Sequence, residues 1–382
     1  MENLGTETAF EVLAKAKALE RQGKNIVHLE IGEPDFDTPK NIKEAAVKAM
    51  NAGYTHYTPA AGIPEFREAI AEYISKTRKI SVSPEEVVVT PGAKPIIFFS
   101  ILAYINPGEE VLYVNPGFPM YESVANFVGA KAVPIPLLEE NDFRADPEYI
   151  RSKITKKTKM IIINSPENPT GGVLTKEDLE TIADSIKNRD DVLVLSDEIY
   201  SRIIYEGTHH SIASLPGMKE KTIILDGFSK TYAMTGWRLG YGVMRKDLAP
   251  KITQLMINSN SCTSAFTQMA GIEALRGPQD EAEKMVAEFK KRREVIVDGL
   301  NKIRGMSCKK PHGAFYVFPN IKKTGMTGRE LQELLLNKGG VATLSGTAFG
   351  KYGEGYLRFS FANSVENIKK ALTRISETLE KL

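Results

Sequence analysis

The sequence predicts an α/β fold built on a mostly parallel sheet, followed by a smaller α+β part. Three observations carry this. Apolar runs through the first 230 residues are nearly continuous in Val, Ile and Leu rather than alternating, as in strands buried on both faces. Amphipathic stretches lie between them and supply the crossovers that parallel strands need. After residue 280 the pattern changes to short alternating strands set between long helices.

In chain order, the strand-like runs are EVVVT (86–90), EVLYVN (110–115), KMIIIN (159–164), DVLVLSDE (191–198) and KTIILDGF (221–228). PIIFFSILAYI (95–105) is apolar all round but too short to span a bilayer, so it reads as a buried core helix. LTKEDLETIADSIKNR (174–189) is an amphipathic helix. Thr175 and Asp178 at its start form a capping box with Asp in place of Glu or Gln. The charged helix over 280–303 joins the two parts, with no Pro/Gly/Ser-rich linker. GAFYVFP (313–319) and GYLRFSFA (355–362) are strands of the second part, and 364–382 is a final helix.

Composition narrows the function. The 382 residues are 42% hydrophobic and 26% charged, which predicts a soluble globular protein with a sizeable core. A net charge of +2 gives no reason to expect nucleic acid or an anionic membrane as partner. Cys262 and Cys308 have no paired spacing, which argues against disulfides and a cysteine metal site and points to a reducing cytoplasm. MENLGTETAF has no basic patch followed by an apolar stretch, so no signal peptide is expected. The five histidines lack ligand spacing, no metal is expected, and His209-His210 reads as a surface turn.

The chemistry centres on DGFSKTYAMTGWRLG (226–240), where Lys230 follows a buried apolar run. A lone Ser-Lys is compatible with a surface loop. The alternative is a nucleophilic amine that forms a Schiff base with a carbonyl cofactor such as pyridoxal 5′-phosphate. That cofactor demands a phosphate cup, an acid at its ring nitrogen, donors to its O3′ and a flat group on its ring face. VVVTPGAKPIIFF runs strand, Gly92, helix, and a helix N-terminus binds phosphate. Ser229 and Arg238 complete such a cup. VLVLSDEIY ends a strand in Asp197, with Tyr200 three residues on, and IIINSPENPTGG ends another near Asn168. Ligands gather at the carboxyl ends of strands in open α/β sheets. Each element alone has a plain alternative: a helix cap for Asp197, an Asn-Pro turn for Asn168.

Together, IGEPDFDTP, HYTPAAGIPEFREAIAEY, NSPENPTGG, SDEIY, FSKTYAMTGWRLGY and GAFYVFP resemble the class I/II aminotransferases, pyridoxal-phosphate enzymes of fold type I of the aspartate/aromatic type. The likeness runs along nearly the whole chain, with the motifs in family order. It implies a seven-stranded, mostly parallel sheet in a large cofactor-binding domain over 41–284. An N-terminal arm and small domain take 1–40 and 285–382.

The likeness also assigns roles. Lys230 holds the cofactor and acts as general base, Arg238 and Ser229 bind its phosphate, and Gly92, Ala93 and Lys94 add donors at the cup. Asp197 pairs the ring nitrogen, while Tyr200 and Asn168 meet O3′. Arg358 binds the substrate α-carboxylate, with Gly32 a backbone contact nearby. Tyr57 crosses to the phosphate of a partner subunit, so a homodimer is implied. Phe118 stands where many relatives stack a Trp, and Ser345 where relatives often have Pro, which leaves side-chain specificity open.

The implied activity is ping-pong amino transfer from an L-amino acid to a 2-oxo acid, with 2-oxoglutarate as one acceptor. Lys94 follows a pattern in which a lysine meets a distal carboxylate, and Phe10, Phe118 and Tyr121 are expected to contact uncharged donors. Two alternatives stand beside this reading. One is C–S β-elimination with the same cofactor, because fold does not fix reaction. The other is a non-enzymatic ligand sensor, for which the residues ahead of IGEPDFDTP leave no room for a DNA-binding domain.

Overall fold

Seven strands of the chain form one sheet, and its direction decides where the chemistry can sit. The computed structural model describes residues 3–381. The strand order is Val87–Thr90, Gly240–Val243, Thr222–Gly227, Leu193–Asp197, Thr158–Asn164, Glu110–Asn115 and Lys131–Pro136. Only Gly240–Val243 runs against its neighbours; the other pairings are parallel. The carboxyl ends of the remaining strands therefore share one edge. In register there, Asn164 lies beside Asp197, and Asp197 beside Leu225.

Five of these strands match the continuous apolar runs; four are buried at every residue, and Thr158–Asn164 at every residue but Lys159. Two do not announce themselves. Lys131–Pro136 carries Pro134 and Pro136, which are tolerated because the strand is at an edge. Gly240–Val243 is short and half glycine. A Cβ on Gly240 would lie 2.6 Å from the carbonyl carbon of Gly92, so glycine here lets the Gly92 turn rest on the strand.

Helices cover the sheet. Lys94–Tyr104 buries Ile96, Ile97, Phe99 and Ile101, as its all-round apolarity predicts. Lys176–Ile186 opens with the expected box: Thr175 Oγ1 accepts from the Asp178 amide and the Asp178 carboxylate accepts from the Thr175 amide.

The second part is built on two small sheets. Val27–His28 pairs in parallel with Val341–Ala342, and Leu357–Ser360 lies antiparallel between Leu344–Ser345 and Tyr316–Val317. The Asp280–Leu300 helix packs on the final helix, Val365–Glu380. The expected domain limits at 284 and 285 meet inside the Asp280–Leu300 helix. Among the described residues no helix is long and apolar enough to cross a membrane. Both cysteines are free thiols.

Candidate active site

A cavity of about 520 Å³ opens at the shared carboxyl edge of the sheet. Ala93, Lys94, Phe118, Asn168, Asp197, Tyr200, Ser229, Lys230 and Arg238 all line it, together with Gly32 and Arg358 from the second part. Of the other residues singled out in the sequence, Gly92, Tyr57, Tyr121 and Ser345 do not. Gly92 is buried within its turn, whereas Tyr57 is 89% exposed.

Lys230 comes three residues after the end of the Thr222–Gly227 strand, with its amine donating to the carbonyl of Gly32. Burial pulls its pKa down to about 8, and Arg358 and Lys94 add to that against Glu33 and Glu7. A half-buried amine of this kind is a usable nucleophile and base near neutral pH. Gly32 is glycine for a steric reason: a Cβ there would lie 2.9 Å from Cζ of Tyr316.

Asp197 ends its strand fully inside. Burial pushes its carboxyl up to about 6; Tyr121 and the Ile199 amide pull the other way, and Asp226 and Glu198 reinforce the rise. Its Oδ2 accepts from the Tyr121 hydroxyl at 2.7 Å and its Oδ1 from the Ile199 amide at 3.2 Å. The carboxylate is thus an oriented acceptor rather than a helix cap. Tyr121, expected as an apolar contact for donors, is instead buried behind the cavity with its hydroxyl committed to Asp197.

Behind Asp197 lies a buried ionic clamp. Arg78 donates to Glu198 at 2.8 Å, Ser201 at 2.9 Å and Asp226 at 2.7 Å. Glu198 and Ser201 belong to the turn that carries Tyr200, so one guanidinium fixes that turn to the neighbouring strand. His209 joins the clamp through Glu198 at 3.1 Å, which corrects the reading of His209-His210 as a surface turn. Arg78, Asn164 and Tyr316 were missed in the sequence. Each is a polar or aromatic residue inside an ordinary helix or strand pattern, with no local signal.

Tyr200 pairs its hydroxyl with that of Tyr316 at 2.7 Å. Asn168 accepts from Arg358 Nη1 at 3.2 Å, and its amide donates to Asn164 Oδ1 at 2.9 Å. Arg358 is held between the rings of Tyr316 and Phe349, 4.5 and 4.8 Å from their centroids. Its Nη2 donates to the Glu30 carbonyl, while its Nε is buried without a partner among the described residues. An unspent donor on a buried guanidinium is a site for an anion, and a carboxylate matches its planar fork.

The opposite end of the cavity fits a phosphate by its donor set. Arg238 pairs with no carboxylate among the described residues and makes one bond, to the Thr235 carbonyl at 2.9 Å. It sits in the left-handed region, φ 53°, a conformation that costs energy for a non-glycine residue and aims its side chain at the turn. A Cβ on Gly92 would lie 2.8 Å from the Arg238 Cζ, and Gly92 itself has φ +86°, so only glycine serves there. The turn precedes the N-terminus of the Lys94–Tyr104 helix, where free amides and the helix dipole favour an anion. Ser229 also lines the cavity. Phe118 stands at the wall with its ring edge-on to Tyr121, centroids 5.8 Å apart.

The likeness to known proteins spans nearly the whole chain. The family model "Aminotransferase class I and II" matches residues 24–375. The chain is 45% identical to an aspartate aminotransferase of Pyrococcus horikoshii over 97% of this chain and 94% of that protein. It is 42% identical to aromatic-amino-acid aminotransferase 2 of Thermococcus litoralis, covering 94% and 92%. Among solved structures, the aspartate aminotransferase from Thermus thermophilus with maleate superposes with a TM-score of 0.95 at 38% identity, covering 99% of this chain and 98% of that one. These matches lend nothing to the β-elimination alternative.

Proposed function

The chain belongs to the class I and II aminotransferases, and on that premise we propose that Lys230 carries the cofactor and moves the substrate proton while Arg358 docks the α-carboxylate. The protein is a pyridoxal-phosphate-dependent amino acid aminotransferase that passes an amino group from an amino acid to a 2-oxo acid. The observation that carries the assignment of roles is the pairing, in one cavity, of a half-buried amine of lowered pKa with a buried guanidinium whose Nε is unspent.

When bound, pyridoxal phosphate supplies an electron sink for the charge that develops at the substrate Cα. Arg238, Ser229 and the amides of Gly92, Ala93 and Lys94 hold the phosphate. Asp197, kept in place by Tyr121 and Ile199, holds a proton on the ring nitrogen. Tyr200 and Asn168 would hold its O3′, and Phe118 would cover its ring. Arg358 takes the α-carboxylate through its fork, which places Cα within reach of the Lys230 amine. That amine removes the Cα proton as general base and later returns it. Domain 41–284 supplies the cofactor site, and 1–40 with 285–382 brings Gly32 and Arg358 to it.

The reading extends to substrates and assembly. Lys94 is the cation for a distal carboxylate, so acidic donors and 2-oxoglutarate are accepted; Phe10 and Phe118 supply apolar wall for uncharged donors. A homodimer follows from Tyr57, which is exposed together with Tyr54 and with Val47 and Met50 of the preceding helix. Exposed apolar groups clustered in this way mark an interface. The cytoplasm is the setting that free thiols favour.

The test is a half-reaction. Without an oxo acid, the loaded enzyme should release one equivalent of 2-oxo acid from aspartate or phenylalanine and stop, then turn over when 2-oxoglutarate is added. Continuous release of oxo acid and ammonia without an acceptor would contradict amino transfer.

A further inference from the structure

The N-terminal arm brings a carboxylate into the cavity that the reaction described above does not use. Glu7 and Lys94 form an ion pair at the mouth, and both line the cavity. Lys94 also lies 5.3 Å from the ring centroid of Phe118 and 5.9 Å from that of Phe10. Glu7 occupies the N-cap position of the Thr8–Arg21 helix, but its side chain makes no capping bond; it is spent on Lys94. The side chains are 25% and 43% exposed, so the pair is reachable from solvent. Behind Glu7, the Thr8 hydroxyl is buried and has no partner among the described residues. Among the described residues ahead of Glu7, one hydrogen bond ties the arm down, from Ser123 Oγ to the Gly5 carbonyl at 3.2 Å.

Charge balance gives these facts a meaning. A donor with an uncharged side chain brings one carboxylate, which Arg358 takes. Lys94 would then be left as an unpaired cation against two aromatic rings, unless Glu7 stays with it. An acidic donor brings a second carboxylate, which cannot share Lys94 with Glu7 without like-charge repulsion. Moving Glu7 away forfeits no helix cap, and it frees the Lys94 ammonium.

We propose that Glu7 is a built-in stand-in for the distal carboxylate of an acidic substrate: uncharged donors bind with the Glu7–Lys94 pair in place, and acidic donors bind by displacing Glu7. This rests on the assignment of Lys94 under the proposed function. It makes Glu7 a specificity-determining residue that holds back acidic donors and admits uncharged ones to a site with a lysine at its mouth.

The experiment uses the cofactor-loaded enzyme and two readouts: calorimetric binding of maleate, a non-reacting dicarboxylate, and the ratio of kcat/KM for aspartate to that for phenylalanine. Removing a competing charge-paired carboxylate should be worth about a factor of ten. Glu7→Gln should therefore tighten maleate about tenfold and raise the ratio by about the same factor. Glu7→Asp, which keeps the charge, should leave the ratio within about threefold of the parent and shows whether substitution here disturbs the arm. In a Lys94→Ala background, Glu7→Gln should change neither readout. If Lys94→Ala weakens maleate but Glu7→Gln leaves it unchanged or weakens it, displacement is wrong and the Lys94 assignment stands. If Lys94→Ala affects neither maleate nor aspartate, the assignment of Lys94 falls and this proposal falls with it.

Discussion

The hydroxyl of Tyr121 donates to Oδ2 of Asp197 at 2.7 Å, so a residue expected to touch uncharged donors instead orients the acid of the site. The bond favours the charged carboxylate and opposes the upward push of burial. Tyr121→Phe should therefore raise the Asp197 pKa further. The acid limb of the kcat–pH profile should move to higher pH, and kcat should fall about tenfold with a smaller change in KM, because the charge acts on the transition state. An unmoved acid limb would show that Tyr121 only packs.

Lys230 gives a stability prediction for the cofactor-free protein. Its folded pKa, about 8, lies below the ordinary lysine value, because burial disfavours the ammonium. Below pH 8 the amine is charged in both states and the burial penalty is present in full. Between pH 8 and 10.5 the unfolded chain binds more protons than the folded one, so stability should rise with pH across that window. Lys230→Met should remove this rise and stabilise the apoprotein by roughly 1–3 kcal/mol at pH 7. Urea unfolding at several pH values measures both, and parallel curves for the two proteins would contradict the half-buried ammonium.

Arg358 is predicted to act through its fork. A lysine at this position keeps the charge but not the paired N–H geometry or the stacking between Tyr316 and Phe349. Arg358→Lys should raise KM for acidic, aromatic and aliphatic donors alike, by about ten- to a hundredfold. A selective loss for acidic donors would move Arg358 to the distal end of the substrate.

Tyr57 tests the assembly. Mixing Tyr57→Phe subunits with Lys230→Ala subunits should give hybrid dimers in which one site carries neither change. That site should bind cofactor with the parent affinity. If Tyr57 served its own subunit, every intact Lys230 would share its site with the Tyr57→Phe change, and the weaker affinity would persist in the hybrids.

Much of this was legible in the chain because parallel strands place their sequence signals at one edge. Asp197 and Lys230 each follow a continuous apolar run, and the sheet brings those two strand ends side by side. The Gly92 turn was legible because glycine at φ +86° before an apolar helix is a local requirement. Other features were not legible, for separate reasons. Lys131–Pro136 hides behind prolines that only an edge position permits. The Arg78 clamp joins residues 78, 198 and 226, which no local pattern connects. Glu7 reads as an ordinary residue before a helix, and only the fold of the arm carries it to Lys94.

The most direct measurement is to treat the cofactor-loaded enzyme with borohydride, digest it, and locate the phosphopyridoxyl group by mass spectrometry. That group should be found on Lys230 alone, with about one per subunit, and not at all in Lys230→Ala. A group on Lys94, or none on the peptide that contains Ser229 and Lys230, would contradict the assignment of Lys230.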